Sequence, residues 1–322
     1  MITRPLGRTG LQVSEVGYGA WGIGASQWIG ARDDESLRAL HRAVDLGVNF
    51  IDTALAYGDG HSETLVGRLL RERRETVYVA TKVPPRNAVW PAPRGVPVSE
   101  NYPAAHIATS AERSLRHLGV ERIDLLQLHT WLDDYLDQDG WRDALLGLKR
   151  QGKVRALGIS VNDHDPGSAL RAVASGLFDT VQVIYNVFDQ SPEERLFPLC
   201  LEHGVGVLAR VPFDEGGLTG TITPETTFPR GDWRNGYFKG DRKREVWERA
   251  EALKKLLGEE ARTLPELALR FCLAHEAVST VIPGMRRLAS VEANVAVSDG
   301  RRLTPEMRAA LRQHAWSRNF YD

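Results

Sequence analysis

Four side chains that can gain or lose a proton lie at or just beyond the ends of apolar segments. Asp52 follows the apolar pair Phe50-Ile51, Tyr57 comes five residues later, and Lys82 and His129 lie at the ends of the next two apolar runs. Each residue alone is ordinary, because Asp is common in turns and Tyr commonly packs against a neighbour. As a set they favour a site, because the ends of successive parallel strands meet at one rim of a barrel.

This set of residues predicts proton donation to an oxygen atom on which negative charge develops. A buried Lys82 is costly unless it is paired, and Asp52 is the obvious partner. An ammonium group beside Tyr57 is expected to lower the phenol pKa from about 10, because a nearby cation favours the phenolate. Tyr57 would then protonate a carbonyl oxygen as hydride reaches the carbon, while His129 holds and polarises that oxygen. The alternative is a purely structural Asp52–Lys82 ion pair beside an ordinary core histidine.

Eight short apolar segments alternate with helical patterns along the chain. Most are continuous apolar runs rather than strict alternations, which is typical of strands covered on both faces. The predicted strands span residues 16–23, 49–53, 77–83, 123–129, 154–160, 180–186, 205–211 and 279–283. The predicted helices span 35–44, 63–73, 104–118, 141–150, 168–174, 193–203, 244–257 and 264–275, with a last helix beginning at Thr304 and Pro305.

Eight strand-then-helix units over about 300 residues predict an α/β fold of the (β/α)8 or TIM barrel class. A short N-terminal β-hairpin is expected at residues 4–13, ahead of the barrel. Long loops follow the third, fourth and seventh strands at residues 84–103, 130–140 and 212–243. In this architecture such loops gather at the C-terminal face, where active sites are built. Because no linker interrupts the alternation, residues 1–322 are expected to form a single barrel domain.

Composition argues against several classes of partner. The formal net charge is −1, which gives no general attraction to nucleic acid or to an anionic membrane. Cys200 and Cys272 are far apart, so neither a disulfide framework nor a Cys-x-x-Cys metal site is offered. No segment approaches the roughly 20 apolar residues needed to span a bilayer. We therefore expect a cytoplasmic protein without a metal centre.

The sequence resembles the aldo-keto reductases, which are NAD(P)H-dependent (β/α)8 barrels, over essentially its whole length. The matching motifs are Gly47-Val48-Asn49-Phe50-Ile51-Asp52-Thr53-Ala54, Tyr57-Gly58, Ser62-Glu63, Thr81-Lys82, Asp124-Leu125-Leu126-Gln127-Leu128-His129, residues 152–160, and Thr280-Val281-Ile282-Pro283-Gly284. The resemblance implies reversible reduction of aldehydes or ketones to alcohols. It also implies that Tyr57 is the general acid, that His129 orients the carbonyl, and that Asp52 and Lys82 complete a catalytic tetrad.

The resemblance further implies where a nicotinamide cofactor binds. The nicotinamide end is expected to contact Ser160, Asn162, Gln182 and Tyr185; the pyrophosphate is expected to contact Pro212, Gly217 and Leu218; and the adenosine end is expected to contact Pro283, Gly284, Met285, Arg286, Arg287 and Asn294. Two arginines at the adenosine end suit a 2′-phosphate, which favours NADP(H), although they would also suit a solvated helix start. NAD(H) stays possible, because Gly284 replaces a lysine found in some branches. The sequence also departs from the family pattern at Val161, which separates Ser160 from Asn162.

Four tryptophans, Trp21, Trp90, Trp131 and Trp233, are expected to line an apolar substrate pocket, although Trp131 equally suits a packing role in its loop. The predicted partner is a small neutral aldehyde or ketone. The alternatives are a Schiff-base aldolase using Lys82, a glycoside hydrolase, and a non-catalytic NADP(H)-sensing subunit of the same fold.

One motif of another nucleotide-binding fold is present without its context. The run Gly17-Tyr18-Gly19-Ala20-Trp21-Gly22 fits the dinucleotide fingerprint G-x-G-x-x-G. That fingerprint works only where a helix opens directly after the glycines, and the next predicted helix begins near Asp34. We interpret the run as the first strand and its loop.

Overall fold

The computed structural model describes residues 1–316, and these contain ten strands and twelve α-helices. The strands are β1 (Thr3–Pro5), β2 (Gln12–Ser14), β3 (Tyr18–Gly19), β4 (Phe50–Asp52), β5 (Tyr78–Val83), β6 (Ile123–Leu128), β7 (Val154–Ser160), β8 (Thr180–Ile184), β9 (Gly206–Arg210) and β10 (Val278–Val281). The helices are α1 (Asp33–Asp45), α2 (His61–Glu72), α3 (Val98–Asn101), α4 (Ala104–Leu118), α5 (Trp141–Arg150), α6 (Leu170–Ala174), α7 (Leu196–His203), α8 (Arg234–Tyr237), α9 (Arg242–Lys254), α10 (Leu264–Leu273), α11 (Leu288–Val295) and α12 (Pro305–Arg312).

Strands β3 to β10 pair in chain order as one parallel sheet of eight strands. Parallel bridges Val16↔Val281 and Gly19↔Gly284 join its first strand to its last, so the sheet closes on itself. A side chain at Gly19 would place Cβ only 2.5 Å from the Ile282 carbonyl oxygen. Glycine is therefore required for the close approach of the two strands. The predicted (β/α)8 fold is confirmed.

The first barrel strand is shorter than predicted. Instead of a strand over residues 16–23, β3 ends at Gly19 and a 3-10 turn occupies Trp21–Ile23. Helix α1 begins at Asp33, so no helix opens at the glycine-rich run. The turn directs the chain across the C-terminal rim, toward the loop that carries Tyr57, where Gly24 lies against the Tyr57 backbone.

The N-terminal hairpin, β1 paired with antiparallel β2, covers the opposite end of the barrel. Its apolar residues Leu6, Leu11 and Val13 are buried with barrel side chains such as Phe50 and Leu208. This seal leaves the C-terminal face as the open end of the barrel, where the residues predicted to do chemistry are placed.

Helices cover the outside of the barrel with their apolar faces turned inward. In α4, for example, Ile107, Ala111, Leu115 and Leu118 are buried, at the spacing of one helix face. The main core therefore lies between the strands and this helical layer. Helix α11 was not among the predicted helices, but it begins directly after Arg287, where a solvated helix start was the alternative to a phosphate contact. No helix within residues 1–316 has the length and apolar character to cross a lipid bilayer.

Candidate active site

The four residues predicted to do chemistry meet at the C-terminal rim of β4, β5 and β6. Lys82 Nζ lies 2.6 Å from Asp52 Oδ2, 2.8 Å from the Thr53 carbonyl oxygen and 3.3 Å from Tyr57 Oη. The His129 ring stands edge-on to the Tyr57 ring, with 5.6 Å between their centroids. The structure thus places a buried ammonium, a carboxylate, a phenol and an imidazole in one site.

The second carboxylate oxygen of Asp52 is also fully used. Its Oδ1 accepts hydrogen bonds from Gln182 Nε2 at 2.7 Å and from Gln127 Nε2 at 3.3 Å. Lys82 is 0% exposed and Asp52 is 2% exposed, so the ion pair is removed from water. A buried charge is tolerated only where partners of this kind replace water, and these bonds fix the ammonium in place beside the phenol.

The pKa of Tyr57 is raised, which corrects the expectation that Lys82 lowers it. Burial is the largest influence on the pKa of Tyr57 and raises it; the Lys82 ammonium lowers it, and the Asp52 carboxylate raises it again. The loss of water around the buried phenol therefore outweighs the effect of the cation. Burial is also the largest influence on the pKa of Lys82 and lowers it, but attraction to Asp52 and Tyr57 outweighs this and raises the pKa overall. Both groups hold their protons at neutral pH.

His129 is a neutral imidazole in this environment. Burial, and then the charges of Lys82 and Arg210, hold the pKa of His129 well below 6.5. Its Nδ1 is buried and has no hydrogen-bond partner within the described part of the chain. A neutral ring can carry one N–H, which makes it a hydrogen-bond donor to a carbonyl oxygen rather than a cation.

Ser160 and Gln182, predicted to hold the nicotinamide, are direct neighbours in the register of β7 and β8. The amide nitrogen of Gln182 is engaged by Asp52, so any bond to a carboxamide would use its carbonyl oxygen. Asn162 has both amide atoms bonded to the Ala92 backbone, at 3.0 and 3.1 Å. The two strand residues are thus placed together as expected, whereas the Asn162 amide is already occupied.

Tyr185 is not at the nicotinamide position, so that expectation is wrong. Its side chain is 1% exposed and lies against Phe197 and Phe271 of the helical layer, with ring centroids 4.8 and 5.2 Å away. Its hydroxyl donates to Glu193 at 2.5 Å. Successive side chains of a strand point to opposite faces, and residue 185 therefore lies on the other face from Gln182.

The turn after β9, predicted to follow the pyrophosphate, has an unusual backbone. Val211, Asp214 and Glu215 have φ values of 55°, 47° and 53°. Non-glycine residues seldom adopt this region, and a β-branched one is a clear outlier. A side chain at Gly217 would put Cβ 2.6 Å from Asp214 Oδ2, so glycine is what lets the turn pack this closely against the buried Asp214. Pro212 begins the turn, and Leu218 sends its side chain into the core, which leaves its backbone for contact.

The segment predicted at the adenosine end runs from β10 into the start of α11. Gly284 and Arg287 are exposed and Arg286 is half-buried, whereas Pro283 is buried and Met285 lies in the core at 1% exposure. Met285 can therefore contribute only backbone. Asn294 is 4% exposed, and its Nδ2 has no hydrogen-bond partner among residues 1–316. Arg287 is the residue directly before α11, and Asn294 lies in the second turn of that helix.

Three of the four tryptophans predicted to line the pocket surround the tetrad. The Trp21 ring lies 6.2 Å from the Tyr57 ring and 5.9 Å from Trp233, and Trp90 lies 5.7 Å from His129. Trp131 does not line the pocket and instead has the packing role that it equally suited: it is 0% exposed and packs against Tyr135, Trp141 and Phe178. It is a core residue of the helical layer, because the loop after β6 folds back over α5.

Comparison with known proteins identifies the family of this chain. Residues 15–315 match the model of the Aldo/keto reductase family. The chain belongs to that family. It is 31% identical over 290 residues to the aldo-keto reductase YhdN of Bacillus subtilis, covering 88% of this chain and 85% of that protein. It is also 31% identical to the NADH-specific methylglyoxal reductase of Escherichia coli, covering 91% of this chain and 92% of that protein.

Solved structures of aldo-keto reductases also match this chain over nearly its whole length. Its fold matches the glycerol dehydrogenase AKR11B4 from Gluconobacter oxydans with a TM-score of 0.79 at 32% identity, over 97% of this chain and 94% of that chain. It also matches the holo form of aldo-keto reductase AKR11C1 from Bacillus halodurans, with a TM-score of 0.77 at 32% identity. The match covers 99% of this chain and 97% of that chain. The protein is an oxidoreductase of a family that uses nicotinamide cofactors.

The residues of this aldo-keto reductase fit such a cofactor. The orphaned amide of Asn294 lies buried beyond the exposed Arg287. Ser160 and Gln182 lie side by side at the rim. Within residues 1–316, no cluster of three or more His, Cys, Asp or Glu is placed to bind a metal ion.

Arg210 is a site residue that the sequence argument missed. It ends β9, donates to the Val161 carbonyl oxygen at 2.9 Å, and forms an ion pair with Asp163. Its charge lowers the pKa of both His129 and Tyr57. The signal was available, because Arg210 is a charged residue at the end of a predicted strand, the same feature that singled out Lys82 and His129.

Proposed function

We propose that this aldo-keto reductase catalyses the reversible NAD(P)H-dependent reduction of neutral aldehydes or ketones to alcohols, with Tyr57 as the proton donor. The observation that carries the proposal is the position of Lys82 Nζ, 3.3 Å from Tyr57 Oη and 2.6 Å from Asp52. A protonated phenol held beside a paired ammonium can give up its proton to an oxygen that becomes negative, because the ammonium stabilises the phenolate left behind.

His129 and the ion pair have separate roles in this proposal. The neutral His129 ring donates a hydrogen bond to the carbonyl oxygen and so polarises the carbonyl before any charge develops. Asp52 holds Lys82 in position and compensates its charge in a site from which water is excluded. A bound nicotinamide supplies the hydride, and Ser160 and Gln182 would hold its carboxamide. The proton therefore moves from Tyr57 Oη to the substrate oxygen.

NADP(H) is the proposed preference, with NAD(H) as the alternative. Arg286 and Arg287 lie next to each other, and the pKa of Arg286 is lowered by burial and then by the nearby cations Arg287 and Arg234. Cations that repel one another are stabilised by an anion, which the 2′-phosphate of NADP(H) would supply. NAD(H) stays open because one relative is named an NADH-specific enzyme.

Neutral carbonyl compounds are proposed as substrates because Trp21 and Trp90 border the tetrad and Trp233 packs against Trp21. The names of two relatives, a methylglyoxal reductase and a glycerol dehydrogenase, add small oxygenated carbonyl compounds to the candidates. In this proposal the physiological substrate is either a neutral carbonyl compound that packs against the tryptophans or a small oxygenated carbonyl compound.

The proposal is tested by following nicotinamide absorbance with NADPH and, separately, NADH, over a panel of aromatic aldehydes, short aliphatic aldehydes, methylglyoxal and glyceraldehyde. We expect carbonyl-dependent oxidation of NADPH, and a variant Arg287→Ala that raises the KM for NADPH more than the KM for NADH. Tight NADPH binding with no turnover of any carbonyl would overturn the proposal in favour of a non-catalytic cofactor-sensing subunit.

A further inference from the structure

The side chain of Asn162 forms a two-bond clasp with the backbone of a residue 70 positions away in sequence. Its Oδ1 accepts from Ala92 N at 3.0 Å, and its Nδ2 donates to Ala92 O at 3.1 Å. Asn162 is 7% exposed and Ala92 is 3% exposed, so both bonds are shielded from water. A buried amide with both groups satisfied in this way is committed to its partner, since breaking either bond leaves an unsatisfied polar group.

This clasp is the buried attachment of the loop that follows β5. Within the described residues, the hydrogen bonds from residues 90–95 to other segments are the two of the clasp and one between Arg94 and Asp165. Arg94 is 74% exposed, and an exposed ion pair of this kind contributes little to stability. The position of this stretch of loop therefore depends chiefly on Asn162.

Trp90, two residues before Ala92 in this loop, forms one wall of the active site. The Trp90 ring stands edge-on to the His129 ring at 5.7 Å, and His129 stands edge-on to Tyr57 at 5.6 Å. Trp90 is 37% exposed, which is unusual for so large an apolar side chain and leaves indole surface free beside the tetrad. Trp21 borders Tyr57 from another side. A flat ring entering this site would meet indole surfaces near the proton donor.

We propose that Asn162 is a specificity-determining positioning residue, which holds Trp90 against His129 so that carbonyl compounds bearing an aromatic ring are selected. The inference rests on the proposed reductase function and assigns that function a substrate class. It differs from a carboxamide contact for Asn162, because both amide atoms are already bonded to Ala92. Asn162 acts through Trp90 and touches neither the carbonyl nor the cofactor.

The test compares Asn162→Leu with a matched control at the other end of the barrel. Asn49 also clasps backbone with both amide atoms: Oδ1 accepts from Ser14 N at 2.6 Å, and Nδ2 donates to Gln12 O at 2.9 Å. Asn49→Leu therefore removes a similar pair of bonds without touching the Trp90 loop. Each variant is assayed with benzaldehyde and with propanal, and the dissociation constant for NADPH is measured by fluorescence titration.

For Asn162→Leu we expect the ratio of kcat/KM for benzaldehyde to that for propanal to fall by about tenfold, mainly through a higher KM for benzaldehyde. The dissociation constant for NADPH should be unchanged, and hydrogen exchange at the Ala92 amide should be faster, because that N–H has lost a buried acceptor. Asn49→Leu should leave the ratio unchanged. Asn162→Asp keeps the acceptor for Ala92 N but repels Ala92 O, so it should give an intermediate ratio.

A double-mutant cycle with Trp90→Ala shows whether Asn162 acts through Trp90. Once Trp90 is removed, Asn162→Leu should change the benzaldehyde to propanal ratio no further. Weaker NADPH binding with an unchanged ratio would overturn the inference in favour of a carboxamide contact. An unchanged ratio and unchanged NADPH binding, despite faster exchange at Ala92, would also overturn it. Absence of turnover by the wild type with every carbonyl would overturn the proposed function itself, before any variant is compared.

Discussion

Opposing influences act on the pKa of Tyr57, and their balance determines whether the phenol is protonated. Burial raises its pKa and the ammonium of Lys82 lowers it, with burial the larger. The phenol is therefore protonated across the neutral range, and Lys82 matters less for the resting state than for the phenolate that forms when the proton leaves. This separation of roles predicts different effects of Lys82 on rate and on pH dependence.

Replacing Lys82 should lower kcat by about 100-fold or more, because a preorganised charge beside a developing anion typically raises the rate by a factor of this size. In Lys82→Met the cation that lowers the pKa of Tyr57 is lost, so the alkaline limb of the kcat profile should move to higher pH. The measurement is kcat for reduction between neutral pH and the alkaline limit of protein stability. A limb displaced to lower pH would contradict the account.

The low pKa of His129 predicts that protonation of this ring does not affect the rate of reduction near pH 6.5. Its pKa lies well below 6.5, so the ring stays neutral and donating as pH falls through that value. We expect kcat/KM for reduction to show no inflection near 6.5. His129→Gln, which keeps an N–H donor, should retain more activity than His129→Ala. A wild-type inflection near 6.5 that disappears in both variants would show that the imidazole titrates there and is not held neutral.

The tetrad was predictable from residue type and position, whereas Tyr185 was assigned wrongly and Trp131 was left open between two roles. Asp52, Lys82 and His129 stand at strand ends, where a polar residue in an apolar run is conspicuous. Tyr185 was misplaced although strand parity with Gln182 excludes it from the lumen. Trp131 lies beyond the end of β6, in a loop whose path over α5 depends on contacts distant in sequence, so neither periodicity nor spacing could place it.

At the scale of secondary structure, the first turn of α2 connects the Tyr57 loop to the barrel. Ser62 Oγ lies 2.8 Å from Thr53 Oγ1 and donates to the Ala20 carbonyl oxygen at 2.9 Å. The next residue, Glu63, is 0% exposed and accepts from Thr81 Oγ1 at 2.6 Å, one residue before Lys82. Helix α2 therefore holds together the segments that carry Tyr57 and Lys82.

Glu63→Ala should destabilise the protein by about 2–3 kcal/mol, because it removes a buried acceptor and leaves the Thr81 hydroxyl without a partner. Glu63→Gln keeps an acceptor oxygen of the same size and should recover a large part of this loss. The measurement is urea unfolding of both variants beside the wild type. Equal loss in the two variants would show that the charge of Glu63, paired with His117 at 3.1 Å, is what stabilises this turn.

Element boundaries were harder to predict than element order. All eight barrel strands were predicted in sequence, since strands buried on both faces are continuous apolar runs. The 3-10 turn at Trp21 was missed, and α3, α8 and α11 were not among the predicted helices, although a helix start was one of the two roles given to Arg286 and Arg287. Trp21–Ile23 continues the apolar run of β3, and α11 is a short, mostly apolar stretch, so pattern alone did not distinguish a turn or helix from its neighbours.

At the scale of the whole molecule, the contribution of the buried histidines to stability should fall as pH drops below about 6.5, the ordinary pKa of histidine. Burial lowers the pKa of His129, His275 and His314 in the folded protein. Below 6.5 the unfolded chain binds protons at these histidines that the folded chain does not, whereas burial raises the pKa of Glu215 to about 8 and has the opposite effect. The difference in stability between the wild type and His129→Gln isolates one histidine, and we expect it to shift against the wild type by about 1 kcal/mol between pH 7.5 and pH 5.5 in urea unfolding. A difference that stays constant over this interval would contradict the account.

The same unfolding curves test whether residues 1–322 form a single domain, which stays a prediction. One closed barrel should unfold in one transition, with fluorescence and circular dichroism giving the same midpoint. Two separated transitions would indicate independent units.

The most direct test of the central claim is a comparison of Tyr57→Phe with Tyr78→Phe. Both variants remove one hydroxyl from a barrel residue, but Tyr78 begins β5 at the end opposite the tetrad. We predict that Tyr57→Phe abolishes measurable carbonyl reduction while the dissociation constant for NADPH stays unchanged, and that Tyr78→Phe retains wild-type kcat. Retained turnover in Tyr57→Phe, with NADPH consumed in proportion to alcohol formed, would contradict the assignment of Tyr57 as proton donor.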